Sequence, residues 1–141
     1  LGTVDDVLEV YEVRTDGNLK LVALPGKGAG YNSLLEGYVV LKGDLNTVAA
    51  LTFHQQDETP GMGSKITDKD WQALWAGKQV ADLEGRVRIE VVKGTSDGPY
   101  QVDGISGATR TGNGVTKLLH FWLGDHGYGP YLERLKNGGA Q

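Results

Sequence analysis

VLEVYEVRTDGNLKLVAL, residues Val7–Leu24, is the stretch that sets the fold class. In its first half Leu8, Val10 and Tyr11 interleave with Glu9 and Glu12 up to Arg14, which is the pattern of a half-buried strand. Thr15-Asp16-Gly17-Asn18 then supplies the Asp-Gly pair of a tight hairpin, and Leu19–Leu24 returns as the second strand. Further on, Gly37–Leu41 and Val48–His54 flank the Gly43-Asp44 turn and read as a second pair, rich in β-branched and aromatic residues. Val87–Val92 predicts one more strand. Thr67-Asp68-Lys69-Asp70 has the form of a capped helix start, with Trp71, Leu74 and Trp75 on one helical face. Asn113–Leu123 places Val115, Leu118, Leu119 and Trp122 at helical spacing, and Pro130 opens a last helix through Leu135. Strands come first and helices later. The expected fold is therefore α+β, a single domain over residues 1–141 with a largely antiparallel sheet and flanking helices.

Composition narrows the chemistry. The 141 residues are 39% hydrophobic and 23% charged, enough for one compact core. The absence of cysteine excludes disulfides, thiolate catalysis, cysteine-ligated zinc and iron–sulfur clusters. Fourteen basic against eighteen acidic residues leave a net charge of −4 with no basic block, so the electrostatic footprint of a nucleic-acid partner is missing. The longest apolar runs, Val48–Leu51 and Leu118–Leu123, fall well short of the ~18 residues of a membrane span. The chain starts at Leu1-Gly2 without methionine, and the expectation is that a leader or anchor has been removed upstream. The 22 glycines are about twice the ordinary share, so much of the backbone is expected in turns.

Five stretches invite chemistry. Gly26-Lys27-Gly28-Ala29-Gly30 spaces its glycines as GxGxG with no helix pattern behind it, which rejects a dinucleotide fingerprint and predicts a flexible loop. His54-Gln55-Gln56-Asp57-Glu58 holds an imidazole and two carboxylates but matches no metal spacing, and reads as a solvated strand end. His120 and His126 lack partners at ligand spacing and read as structural. Thr59-Pro60-Gly61-Met62-Gly63 predicts a type II turn, whose Met62 either drops into the core or packs against a planar ring across the side-chain-free Gly61 and Gly63. The strongest signal is Asp103-Gly104-Ile105-Ser106-Gly107-Ala108-Thr109, followed by Arg110 and Thr111. Hydroxyls and small residues before a helix N-terminus, with its free N–H groups and positive dipole end, form an anion cradle. The arrangement D-x-x-S-G-A-T arises by chance in on the order of one such chain in several thousand at average residue usage. With the helix starting near Asn113, its first turn is expected to face the anion, and Gly112 and Gly114 to leave the entrance open.

DGISGATRTGNGV (Asp103–Val115) resembles the flavinylation motif of bacterial FMN-binding domains, in which the matching threonine carries FMN through a phosphoester. GKGAGYNS, HQQDETPGMG followed by WQALWAGK, and LLHFWLGDHGYGPYLERL are similar in order and spacing to the C-subunit family of the bacterial sodium-translocating NADH:quinone oxidoreductase. The likeness covers nearly the whole chain. Two positions depart from the family pattern: Tyr31 stands where tryptophan is usual and Met62 where leucine is usual. What the resemblance implies is a covalent FMN on Thr109, its phosphate held by Ser106, Gly107, Ala108 and the N–H groups near Arg110 and Thr111. Tyr31, Thr59 and Met62, with Gly61 and Gly63, would wall the ring, and Asp103 would be recognised by a flavin transferase or cap the turn. It also implies an electron carrier on the periplasmic side of the bacterial inner membrane, anchored by an upstream helix and partnered by other membrane subunits. The ETPGMG and GYGPYL segments favour the quinone-reducing pump over the related Rnf electron-transport complex. From other classes, a module binding a phosphorylated ligand reversibly and a metal-assisted hydrolase built on His54, Glu58 and Asp103 are the alternatives.

Overall fold

The computed structural model describes residues 9–138. Strands β1 (Tyr11–Thr15), β2 (Asn18–Ala29), β3 (Leu34–Lys42) and β4 (Val48–Gln55) form an antiparallel sheet in sequential order. The first strand predicted from Val7 is observed from Tyr11; Val7 and Leu8 lie outside the described residues. Asp16 and Gly17 both have positive φ, at 54° and 81°, and close the hairpin whose last pair is Thr15 with Asn18. A 3₁₀ turn at Gly63–Thr67 leads into the short helix α1 (Lys69–Ala73). Two-residue strands β5 (Glu90–Val91) and β6 (Gln101–Val102) then pair in parallel, before helices α2 (Thr109–Trp122) and α3 (Gly129–Lys136), the latter with proline in its first turn. The α+β expectation holds. Among the described residues no helix is long and apolar enough to cross a membrane.

One sheet face supplies Val22, Leu24, Leu35, Val39, Leu41, Leu51 and Phe53 to the core, and Val115, Leu118, Leu119 and Trp122 of α2 are buried in the same cluster. The approach is close because the sheet offers glycine where the helix crosses it. A Cβ on Gly26 would overlap the indole of Trp122, and one on Gly28 would stand 2.6 Å from Leu118 Cδ1. This corrects the loop expectation for residues 26–30: Gly26 to Ala29 continue β2, paired with Leu34 to Gly37 of β3. Glycine here makes room for helix side chains rather than loosening the backbone. The Pro25 carbonyl turns toward the helical layer and accepts from both Trp122 Nε1 (3.0 Å) and Tyr128 Oη (2.6 Å), filling both of its lone pairs.

Three boundaries also differ from expectation. Helix α2 begins at Thr109 rather than Asn113, so Gly112 and Gly114 lie inside it. Each loses about 1 kcal/mol of helix propensity relative to alanine, but space decides. A Cβ on Gly112 would stand 3.0 Å from Val91 Cγ1 and one on Gly114 would stand 3.0 Å from Gly30 Cα. They seat the helix; they are not an open entrance. Thr67 does not cap α1, because its hydroxyl donates to Ser64 O at 2.8 Å and Asp68 holds the N-cap position. With α1 ending at Ala73, Leu74 faces solvent while Trp71 and Trp75 stay buried, edge to face at 5.6 Å. The predicted strand Val87–Val92 shrinks to Glu90–Val91, since the N–H groups of Arg88 and Ile89 both converge on Val80 O in a bend.

The Gly26→Ala substitution should destabilise the domain by about 1–3 kcal/mol through overpacking against Trp122. The urea midpoint would fall without loss of cooperativity; an unchanged midpoint would refute the tight helix-on-strand seat.

Candidate functional site

The Asp103–Ala108 loop is strapped down along its length. The Asp103 carboxylate accepts the Ser96 N–H at 2.7 Å, and its carbonyl accepts Trp71 Nε1 at 2.9 Å. The Ser96 N–H holds the Asp103 carboxyl below its ordinary range, so at neutral pH it is a fixed negative end of the loop. Gly104 donates to Gly94 O at 3.0 Å, with no room for a Cβ against Val92 O. Ala108 N–H then bonds Ile105 O at 3.0 Å and Gly107 has a φ of +79°, which makes Ser106-Gly107 the corner of a type II turn. Helix α2 starts directly behind it. Ala108 at the N-cap brings no side-chain cap, and among the described residues no acceptor meets the N–H groups of Thr109, Arg110 and Thr111. These are the free donors of a helix first turn, four residues earlier than the sequence pattern suggests.

A second type II turn faces the first. Met62 N–H bonds Thr59 O at 3.0 Å and Gly61 has a φ of +74°. Met62 is 41% exposed and does not enter the core. It lies across the opposite corner, so that a Cβ on Gly107 would fall 2.7 Å from Met62 Cε. Tyr31, 52% exposed, accepts a hydrogen bond from Arg110 Nη1 at 2.9 Å, and the guanidinium carbon stands 5.1 Å from the Tyr31 ring centroid. Between these groups runs a groove of about 410 Å³ lined by Tyr31, Thr59, Met62, Gly63 and the residues from Gly107 to Thr111. The structure thus brings together most of the residues singled out from sequence. Ser106 and Asp103 instead line a second cavity of about 480 Å³ on the other side of the loop, beside Lys93 and Thr95; Gly107, Ala108 and Thr109 border both. Gly61 lines neither, and serves as the turn's positive-φ residue.

Glu58 departs most from expectation. Far from being a solvated strand end, it is only 2% exposed. Its Oε1 accepts the Tyr31 N–H and the Thr111 hydroxyl, both at 2.8 Å; Oε2 accepts the Asn32 N–H at 3.0 Å and the Ser33 hydroxyl. Burial pushes the carboxyl upward, but the bonds from Ser33, Thr111, Tyr31 and Asn32 outweigh it and hold the group below the ordinary glutamate value of 4.5. Thr111 therefore contributes its N–H to the groove, and its hydroxyl is spent on Glu58. No local pattern announces this role, since its donors lie 25 to 53 residues away in sequence. His54 stacks obliquely on Tyr38 and His120 Nε2 donates to Ile89 O at 2.7 Å. Among the described residues no three histidine, aspartate or glutamate side chains could hold a metal ion, and His54, Glu58 and Asp103 form no such group.

Residues 30–124 match the model of the FMN-binding domain. The chain is 46% identical over 136 residues to the C-subunit of the Na(+)-translocating NADH-quinone reductase of Pseudomonas aeruginosa, covering 93% of this chain and 52% of that protein. It is 41% identical over 135 residues to the protein of the same name from Neisseria meningitidis, covering 94% and 52%. Its structure is similar to the crystal structure of Shewanella oneidensis NqrC, with a TM-score of 0.86 at 38% identity over 91% of this chain and 60% of that one. It also resembles the crystal structure of the corresponding Na(+)-translocating NADH-quinone reductase protein from Parabacteroides distasonis, with a TM-score of 0.75 at 33% identity over 89% and 62%. The chain spans about half the length of these protein relatives. The matched region runs from Gly30 beside the groove, through both facing turns and the Thr109 helix, to the end of α2 at the sheet: this chain belongs to the FMN-binding domain family.

Proposed function

We propose that residues 1–141 form a single FMN-binding domain that carries FMN as a phosphoester on Thr109. In this reading the domain serves as an electron carrier in a sodium-translocating NADH:quinone oxidoreductase. The observation that carries the reading is the position of Thr109. It is exposed at the first position of α2, borders the groove, and has three adjoining N–H groups without protein acceptors. A phosphoester retains negative charge, which a helix N-terminus favours by about 0.3–1 kcal/mol at the surface and more where partly buried. Ser106 and Gly107 stand at the corner beside it and Ala108 adds no bulk.

The remaining residues fit the group as well. The groove's two glycine-supported turns leave the face between Tyr31 and Met62 clear of branched side chains, which suits a flat aromatic system. Arg110 places a cation beside both the Thr109 end and the Tyr31 ring. FMN, when bound, supplies the ring that accepts and releases electrons, and the protein supplies position and electrostatics. Covalent attachment at Thr109 removes dissociation, so the carrier is never lost between transfers. Asp103, turned toward the Ser96 strap, belongs to loop shape and to recognition by a flavin transferase. The partnership with other membrane subunits, the upstream membrane helix and the periplasmic placement rest on the relatives' names and on the resemblance of the motifs.

Thr109→Val, coexpressed with a flavin transferase, should lose in-gel flavin fluorescence and the covalent mass increment while unfolding within about 0.5 kcal/mol of the wild type. Retained fluorescence would place the attachment elsewhere; Ser106 would then be first in line, because the Thr111 hydroxyl is held by Glu58. Met62→Asp should shift the flavin absorption envelope and move its midpoint potential downward, since a carboxylate beside the ring opposes uptake of negative charge. If both stay at wild-type values, Met62 is not part of the ring's wall.

A further inference from the structure

Glu58 is a buried carboxylate that flavin attachment does not itself call for. Its four donors are two N–H groups and two hydroxyls, all uncharged, and they come from two segments far apart in sequence, the 31–33 loop and α2. Glu58 also directly precedes Thr59, whose carbonyl closes the Met62 turn and whose hydroxyl accepts Asn32 Nδ2 at 3.0 Å. The neighbouring backbone is cleared for it. A Cβ on Gly30 would come within 3.0 Å of Glu58 Oε1, and one on Gly63 would stand 2.8 Å from Glu58 Cβ and 2.5 Å from Thr111 Oγ1. Three segments that carry Tyr31, Met62 and Thr109 thus meet at one side chain.

We propose that Glu58 is a positioning residue for the flavin site, holding the Tyr31 loop and the Met62 turn at fixed spacing from the Thr109 end of α2 before any ring enters. This rests on the assignment of the flavin to Thr109. A carboxylate is suited to the task because it accepts at both oxygens and donates at neither. An amide in its place accepts at one oxygen only, and turns an NH₂ toward groups that are themselves donors. Walls set in advance in this way spare the site reorganisation when the ring is bound.

The test uses Glu58→Gln and Thr111→Val in the 141-residue chain. Without flavin, amide exchange at Tyr31 and Asn32 should be about tenfold faster in Glu58→Gln, with the core amides of Val39 and Leu51 unchanged. Thr111→Val should leave the Tyr31 amide protected, because it cuts only the link to α2. In the flavinylated chain both variants should shift the flavin absorption envelope and midpoint potential. Wild-type exchange at Tyr31 and Asn32 in Glu58→Gln would overturn the proposal, as would equal acceleration of the core amides or unchanged flavin spectra and potentials in both variants. Should Glu58→Gln not fold, Ser33→Ala removes a single donor and should give a smaller acceleration at Asn32; no acceleration would overturn the proposal. A wild-type chain without flavin on Thr109 would overturn the functional reading, whereas the exchange result bears on Glu58 alone.

Discussion

Helix α2 can lie against the sheet only because β2 presents glycine beneath it. Trp122 rests over Gly26 and Leu118 over Gly28, while Gly114 of the helix meets the backbone at Gly30. This track of close approaches fixes the helix along its whole length, and so fixes where its N-terminus points. Without it, the first turn of α2 would have no set relation to the loop after β2, which carries Tyr31, or to the turn after β4, which carries Met62. The site is therefore a consequence of core packing: the same seat that buries Trp122 at one end places Thr109 at the other. Because interiors are close-packed, a displacement at either end is transmitted rather than absorbed.

Polar groups then finish what packing begins. The Pro25 carbonyl is matched by Trp122 and Tyr128, and the Asp103 loop hangs from Trp71 and Ser96. Glu58 is the most demanding member, a buried carboxylate with no cation among its four hydrogen-bond donors. An ionised carboxylate out of water is tolerable only when its lone pairs are met. Each of those donors belongs to a segment that borders the groove or supports its walls. Satisfying the charge and shaping the groove are the same act.

Much of this was legible in the chain itself. Asp16-Gly17 announces the first hairpin, alternation marks the strand pairs, Pro130 marks the start of α3, and Asp103–Thr109 stands out against chance. The failures share a cause. Residues 26–29 hide their strand because glycine leaves no alternation to read, and the side chains that require glycine there lie about 90 residues or more downstream. Gly112 and Gly114 conceal the true start of α2 in the same way, since periodicity registers apolar side chains and not the space left for a neighbour. Glu58 sits in a polar run that looks solvated, and only the tertiary structure brings Thr111 to it from 53 residues away. Local signals reveal elements; contacts between distant segments reveal the site.

The Thr109 hydroxyl opens α2 without capping it, and Ala108 occupies the cap position without a side-chain bond. The helix gains nothing from that hydroxyl, so chemical modification there takes nothing away from the fold. Maturation can then proceed in a defined order. The polypeptide assembles its core first, as metal-dependent finger domains cannot, and receives its prosthetic group on a finished surface. A modifying enzyme would accordingly read a folded shape as well as a string of residues, which makes the completed fold its own checkpoint for labelling.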